Sequence, residues 1–252
     1  MRRISAKVKI ISIILLVVSI IAMITTYIVN DNIREFIDTK ILKKEISDDS
    51  VKNIYTNSSV IQTMTLAKNI VTLSSGELKV YDFEGNAKNT IKMKIGNPIY
   101  DVEDKYLGIA DKNVTKIYLI EDDKLVWEKT LDVTVEKIEV NKNGYMAVVT
   151  KDSVYKSVVL VYSNKGELLL KSYVSNGYVI DTEISPDNKY LVIGEVDYSK
   201  TYIESTVKVI DIEKAIKSEE GSVVNTFVKD KLLVNLKIKE NLSIIGQYSD
   251  SV

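Results

Sequence analysis

The sequence predicts a mainly β protein: an N-terminal transmembrane helix and a short stalk helix, followed by an incomplete β-propeller of four to five four-stranded blades. Three observations predict it. Ile10 to Val29 form a run of twenty residues without a charge. Beyond residue 50 the chain consists of short runs rich in Val, Ile, Tyr and Thr, bounded by Gly, Asn, Asp or Lys, the pattern of strands and tight turns. Those runs recur at the spacing of propeller blades.

The first element, "IISIILLVVSIIAMITTYIV", rises about 30 Å as a helix, the thickness of a hydrocarbon core. A secretory signal has an apolar region of typically ~7–15 residues and ends at a small-residue cleavage site. This run is longer, and nothing resembling A-x-A follows it, so an uncleaved anchor is the reading. A buried core helix rarely stays uncharged for so long. Arg2, Arg3, Lys7 and Lys9 precede the run without an acid, whereas "NDNIREFIDTKILKK" behind it mixes signs. The positive-inside rule then makes residues 1–9 a cytoplasmic basic tail and residues 10–29 a single pass through the lipid bilayer of the cell membrane, with everything beyond lying outside.

Residues 30–49 read as a juxtamembrane stalk, with Ile33, Phe36, Ile37 and Ile41 at helical spacing and Asp31 or Asn32 as cap. A polar break at 48–50 opens the extracytoplasmic domain, residues 50–252. Five segments there share a polar turn followed by an apolar strand: "KNIVTL", "DKYLGIA", "NGYMAVV", "NKYLVIG" and "ENLSIIG". Anchored on Ile70, Leu107, Met146, Leu191 and Ser243, they lie 37, 39, 45 and 52 residues apart. A second series, "LKVYDFEGN", "KIYLIEDDKLVW", "VLVYSNKGELLL" and "VKVIDIEKA", falls between them. Each unit is strand, turn, strand, loop, strand, turn, strand, the content of one blade. A single four-stranded sheet has two faces to bury, and radial stacking buries each against its neighbour. In "ISPDNKYLVIG", Pro186 suits the first central position of a type I turn, which makes the stretch the inner hairpin of a blade.

Over "NKNGYMAVVT", "YKSVVLVYSNKGELL" and "GYVIDTEISPDNKYLVI" the chain resembles an uncharacterised family, a domain of unknown function, of membrane-anchored proteins from low-GC Gram-positive, chiefly clostridial, bacteria. The resemblance implies a short basic N-terminus, one span and a WD40-like or quinoprotein-like β-propeller outside, with no established activity and no catalytic residues to transfer. Such chains continue through further blades, whereas this sequence stops at "SIIGQYSDSV", two strands into its fifth repeat. A truncated or split product is the favoured reading of that stop, an open arc with an exposed edge the other.

Composition removes whole classes of chemistry. Without His or Cys there is no His-based triad, no Cys nucleophile and no zinc site of the usual ligands. No Gly-rich phosphate-binding motif occurs, and no cofactor is expected. Past the basic tail, 30 bases stand against 35 acids, which argues against a nucleic-acid partner. The acidic groups Asp101, Glu103, Asp104; Glu121, Asp122, Asp123; and Asp181, Glu183, Asp187 match no Ca²⁺-binding loop and read as solvated turn residues, with no metal site. Asp181 and Glu183 alternate onto one strand face and would be paired carboxylates if buried in a cleft. Trp127, the lone tryptophan, reads as packing between blades.

Tyrosine is the informative residue. Eight of the fifteen fall between 145 and 202, and Tyr155, Tyr178, Tyr198 and Tyr202 lie in or beside loops that a propeller gathers on one end. Tyr offers a large rigid surface with a polar tip, which suits an interface. The expectation is a membrane-anchored, non-catalytic binding scaffold or sensor that docks a protein or envelope partner through these four residues. The alternatives are a quinoprotein-like or hydrolytic propeller enzyme, and an inactive fragment of a longer protein.

Overall fold

The computed structural model describes residues 6–30, 33, 34, 37–42, 54, 59–112 and 114–249, and the chain divides into two compact units, Met1–Asn53 and Ile54–Val252.

The first unit contains helix α1 (Ala6–Val29) and one π-helical turn (Ile37–Ile41). Thr25 and Thr26 return their hydroxyls to the carbonyls of Ile21 and Ala22, at 2.8 and 2.7 Å. The Tyr27 hydroxyl donates to the Asp38 carboxylate at 2.7 Å, which ties the end of α1 to the π-helical turn. Among the described residues no helix is long and apolar enough to cross a membrane. This corrects the expected span over residues 10–29, its contact with the lipid bilayer, and the single-pass cell-membrane placement built on it. The last turn of α1 carries Thr25, Thr26 and Tyr27. Residues 1–5 of the expected basic tail, and 31, 32, 35, 36 and 43–49 of the expected stalk, lie outside the described residues.

Among its described residues the second unit has five antiparallel sheets in sequence order. Blade I comprises β1 (Val60–Leu66), β2 (Asn69–Ser74), β3 (Glu77–Asp82) and β4 (Ala87–Lys92). Blade II comprises β5 (Pro98–Glu103), β6 (Tyr106–Asp111), β7 (Val114–Glu121) and β8 (Lys124–Thr130). Blade III comprises β9 (Val135–Val140), β10 (Met146–Thr150), β11 (Ser157–Tyr162) and β12 (Leu168–Val174). Blade IV comprises β13 (Tyr178–Ile184), β14 (Tyr190–Asp197), β15 (Glu204–Asp211) and β16 (Val223–Lys229), with the short helix α2 (Ile212–Ile216) before β16. Sheet V has two strands among the described residues, β17 (Leu233–Ile238) and β18 (Ile244–Tyr248).

Burial follows the radial order. The second strands β6 and β10 are buried at every position, whereas β4 and β16, the outermost, are almost wholly exposed. Between blades the apolar faces form separate cores: Val71, Leu73, Leu107 and Ile120 between I and II, Leu119, Ile138, Met146 and Leu160 between II and III, Val159, Ile184, Leu191 and Ile210 between III and IV. Trp127 belongs to this packing, as expected. Its ring lies 5.8 Å from that of Tyr162, and its N–H donates to the Asn164 carbonyl at 3.2 Å.

Gly194 of β14 marks a close approach. A Cβ there would strike the side chains of Leu233 and Leu236, which β17 presses against blade IV. The turns recur as faithfully as the strands. In 82–86, 141–145 and 163–167 an i to i+3 hydrogen bond closes on a glycine of positive φ, 79° at Gly85, 77° at Gly144 and 79° at Gly166. Asn188 takes this place in the Pro186 turn at φ 64°, and Leu242 takes it between β17 and β18 at φ 63°.

Candidate functional site

Sequential antiparallel strands put alternate connections on opposite ends of the propeller. One end carries the turns from first to second strand; the other carries the loops from second to third strand and the links between blades. All four expected tyrosines belong to the second end. Tyr155 is in the β10–β11 loop, Tyr178 begins β13, and Tyr198 and Tyr202 are in the β14–β15 loop.

The structure brings two of them into direct contact. The rings of Tyr178 and Tyr198 stack with centroids 5.2 Å apart and planes within 5°. The Lys156 ammonium stands over the Tyr178 ring at 5.3 Å from its centroid, and the neighbouring Tyr155 packs on Tyr173 at 4.7 Å. The hydrogen bond from Tyr198, and then Lys156, hold the Tyr178 hydroxyl below its usual range, while the same bond raises Tyr198. Tyr198 remains 63% exposed and Tyr173 50%, so the stack presents its surface to solvent. The Asp152 carboxylate braces the loop by accepting from the backbone N–H groups of Val154 and Tyr155 at 2.8 and 2.9 Å. Tyr202 has different company: the ammonium groups of Lys229 and Lys200 lie 5.2 and 5.8 Å from its ring. Sequence reasoning missed Tyr173 and Lys156. Tyr173 pairs with Val158 across β11–β12, a register that the strand pattern contained but the search for loop residues passed over.

The opposite end opens into a cleft of about 550 Å³ between the inner strands. Hairpin register shows how the repeats build it. Val102 pairs with Leu107, Val140 with Met146, Ile184 with Leu191 and Ile238 with Ile244, so the preceding residues Asp101, Glu139, Glu183 and Lys237 occupy one position in β5, β9, β13 and β17. Asp101 accepts from the Val140 N–H at 2.8 Å, and Asp181 accepts from the Leu236 N–H at 2.6 Å. Each carboxylate thereby fastens one inner strand to the next. Lys137 reaches Asp181 at 2.7 Å and Glu139 at 3.1 Å; Lys237 reaches Glu183 at 3.2 Å.

Burial, reinforced by Asp101 and only partly offset by Lys137, pushes the Glu139 carboxyl up to about 8. Burial also raises Glu183 against the pull of Lys237. For Lys137 burial is the largest influence and opposes charge, but the bond to Asp181 and the field of Glu139 outweigh it. These acids differ from the expected solvated turn residues, since the Asp181 side chain is only 5% exposed. Glu183 lines the cleft, whereas Asp181, on the same strand face, is buried against Lys137 and the Leu236 N–H; each is already paired with a lysine, an arrangement suited to holding strands together. Among the described residues no group of three or more carboxylates could hold a metal ion.

Over the mouth, the turns of adjacent blades are latched. Asn141 donates to the Ser185 carbonyl at 3.0 Å and to the Asn188 side chain at 2.6 Å, and Asn143 donates to the Pro186 carbonyl at 2.8 Å. The Ser185 hydroxyl accepts from the Tyr190 N–H at 2.9 Å and donates to Asp187 at 2.6 Å. Asp187, which a sequence reader could take for an active-site acid, is thus a turn-forming residue.

Residues 42–246 match the model of a family of unknown function (DUF5711), and the chain belongs to that family. Among curated proteins no match is found. Solved structures share the fold at low identity. Hsv2 of Kluyveromyces lactis superposes with a TM-score of 0.54 at 15% identity, covering 82% of this chain and 68% of that one. Hydrazine synthase of Kuenenia stuttgartiensis gives 0.53 at 16%, over 81% and 59%. The β-propeller domain of Myceliophteria thermophila Cps50 (Swd1) gives 0.50 at 12%, over 79% and 65%. The chain spans roughly 60–70% of the length of these three proteins. The fold is therefore that of a β-propeller, and one of these similar proteins is an enzyme by name.

Proposed function

We propose that the chain is a non-catalytic binding module that docks a protein partner through the tyrosine-bearing end of blades III and IV. The observation that carries this reading is the exposed, already ordered aromatic stack: Tyr198 on Tyr178, with Lys156 above it and Tyr155 on Tyr173 beside it. Rings held in place before binding lose little freedom on docking, and aromatic residues of this kind carry much of the energy of interfaces. Tyr202, between two lysines, extends the same end toward an acidic or aromatic partner group. Charged residues recur on the inner strands β5, β9, β13 and β17 and support the scaffold, whereas the loop tyrosines concentrate on blades III and IV.

The experiment is site-specific photocrosslinking in the native cell. A photoreactive residue replaces Tyr198 in one variant and the exposed Thr90 of β4 in another. A discrete protein adduct from position 198 alone, lost when Tyr178→Ala and Tyr173→Ala are added, is expected. Equal adducts from both positions, or an adduct indifferent to the alanines, would refute the docking role.

A further inference from the structure

Tyr178 and Tyr198 come from different elements, the start of β13 and the β14–β15 loop, yet they meet ring to ring. Their centroids lie 5.2 Å apart and their planes are within 5° of parallel. The hydroxyls meet as well, with that of Tyr198 donating to that of Tyr178. In a phenol the ortho carbons flank the carbon that bears the hydroxyl. Aligned rings whose hydroxyls touch therefore bring an ortho carbon of one beside an ortho carbon of the other. The second pair on this end, Tyr155 and Tyr173, is closer at 4.7 Å but inclined by 43°, which turns ring edge toward ring face instead.

Other features bear on reactivity. Both rings are open to solvent, Tyr178 at 36% and Tyr198 at 63%, so an oxidant reaches them directly. The bond from Tyr198, and then the Lys156 ammonium 5.3 Å from the Tyr178 ring, favour the Tyr178 phenolate, the form that gives up an electron most readily. The chain has no cysteine, so no thiol competes as the electron donor. Its single tryptophan, Trp127, is partly buried and bonded through its N–H to the Asn164 carbonyl.

We propose that Tyr178 and Tyr198 form an oxidative crosslinking site, joined as a dityrosine by a one-electron oxidant of the haem peroxidase class acting with hydrogen peroxide. Each phenol gives up one electron and its hydroxyl proton. The two phenoxyl radicals join through their ortho carbons; the hydrogens on those carbons leave as protons while the oxygens regain theirs, which restores both aromatic rings. The two electrons and two protons released reduce one hydrogen peroxide to two waters, and the chain becomes two hydrogen atoms lighter. The new bond staples the β14–β15 loop to the start of β13 and fixes the exposed stack in one geometry. This chemistry needs no partner protein, so it is tested apart from the docking role of the same end.

The full chain, at micromolar concentration, is treated with a haem peroxidase and limiting hydrogen peroxide, and monomer is separated from covalent dimer. Rings held together react far faster than rings on separate molecules, so dityrosine fluorescence is expected in the monomer over the dimer by about tenfold or more. Peptide mapping by mass spectrometry should place the bond between Tyr178 and Tyr198. Tyr178→Phe and Tyr198→Phe keep the stacked ring and remove one phenol, and each should lower monomer dityrosine about tenfold or more, whereas Tyr155→Phe should leave it unchanged. Dityrosine confined to covalent dimers, a monomer bond mapped to Tyr155 and Tyr173 or to another pair, or a monomer signal undiminished in Tyr198→Phe would overturn the proposal. So would the absence of any dityrosine under conditions that couple free N-acetyltyrosine.

Discussion

Glu139 should make the protein less stable as pH rises from mildly acidic to mildly alkaline, and replacing it with Gln should remove that dependence. Its carboxyl is pushed from 4.5 to about 8 by burial first and Asp101 second, against the opposing Lys137. A group whose proton is held more tightly in the folded state stabilises that state fully below the unfolded value, near 4.5, and ceases to do so as pH climbs through about 8. Between those limits the slope is about 1.4 kcal/mol per pH unit, so the penalty grows from about 1 kcal/mol at pH 5 to about 4 kcal/mol at pH 8. Gln reproduces the shape and hydrogen-bonding reach of the protonated acid and cannot ionise. In urea denaturation at constant ionic strength, in buffers free of primary amines, Glu139→Gln should exceed the wild type by little at pH 5 and by about 3–4 kcal/mol more at pH 8. A gap between the two proteins that shifts by less than about 1 kcal/mol across this range would show that Glu139 ionises normally, and would refute the reading that burial and Asp101 hold its proton.

Two further substitutions probe the repeats. Leu242 holds φ 63° where the corresponding turns place Gly85, Gly144 and Gly166, so Leu242→Gly should relieve left-handed strain and raise stability by about 0.5–1 kcal/mol, read from the urea midpoint; a loss of stability would show that the leucine side chain is held by packing worth more than the strain. Asp181→Ala removes the acceptor of the buried Leu236 N–H and the closer partner of the half-buried Lys137, and should cost about 2–3 kcal/mol, whereas a change below about 1 kcal/mol would mean that the β13–β17 junction does not depend on it.

What the sequence discloses and what it hides divide along the distance between partners. Strand and turn are local, and the anchors Ile70, Leu107, Met146 and Leu191 all fall in the second strand of their blades, because a strand buried on both faces reads as a continuous apolar run bounded by turn residues. The fifth anchor is out of place: Ser243 stands just before β18, and register makes Ile244 the counterpart, since it pairs with Ile238 as Met146 pairs with Val140. The turn there runs through Leu242 in place of the usual glycine, which removed the local mark for alignment. Alternation alone also placed Asp181 and Glu183 on one face, but their lysines come from Lys137 on β9 and Lys237 on β17, and no pattern within β13 announces either. The same holds for Tyr178 and Tyr198, whose stacking depends on where the β14–β15 loop returns. An apolar run, by contrast, was read too literally in α1, where hydropathy alone fixed the extent of a span. Function in a propeller is written where strands from different repeats converge, at the axis and in the loop ends. Asp101, Glu139, Glu183 and Lys237 are one position of the fold filled by three residue types of both charges, and their pairing can be read only once strands from different repeats are set in register.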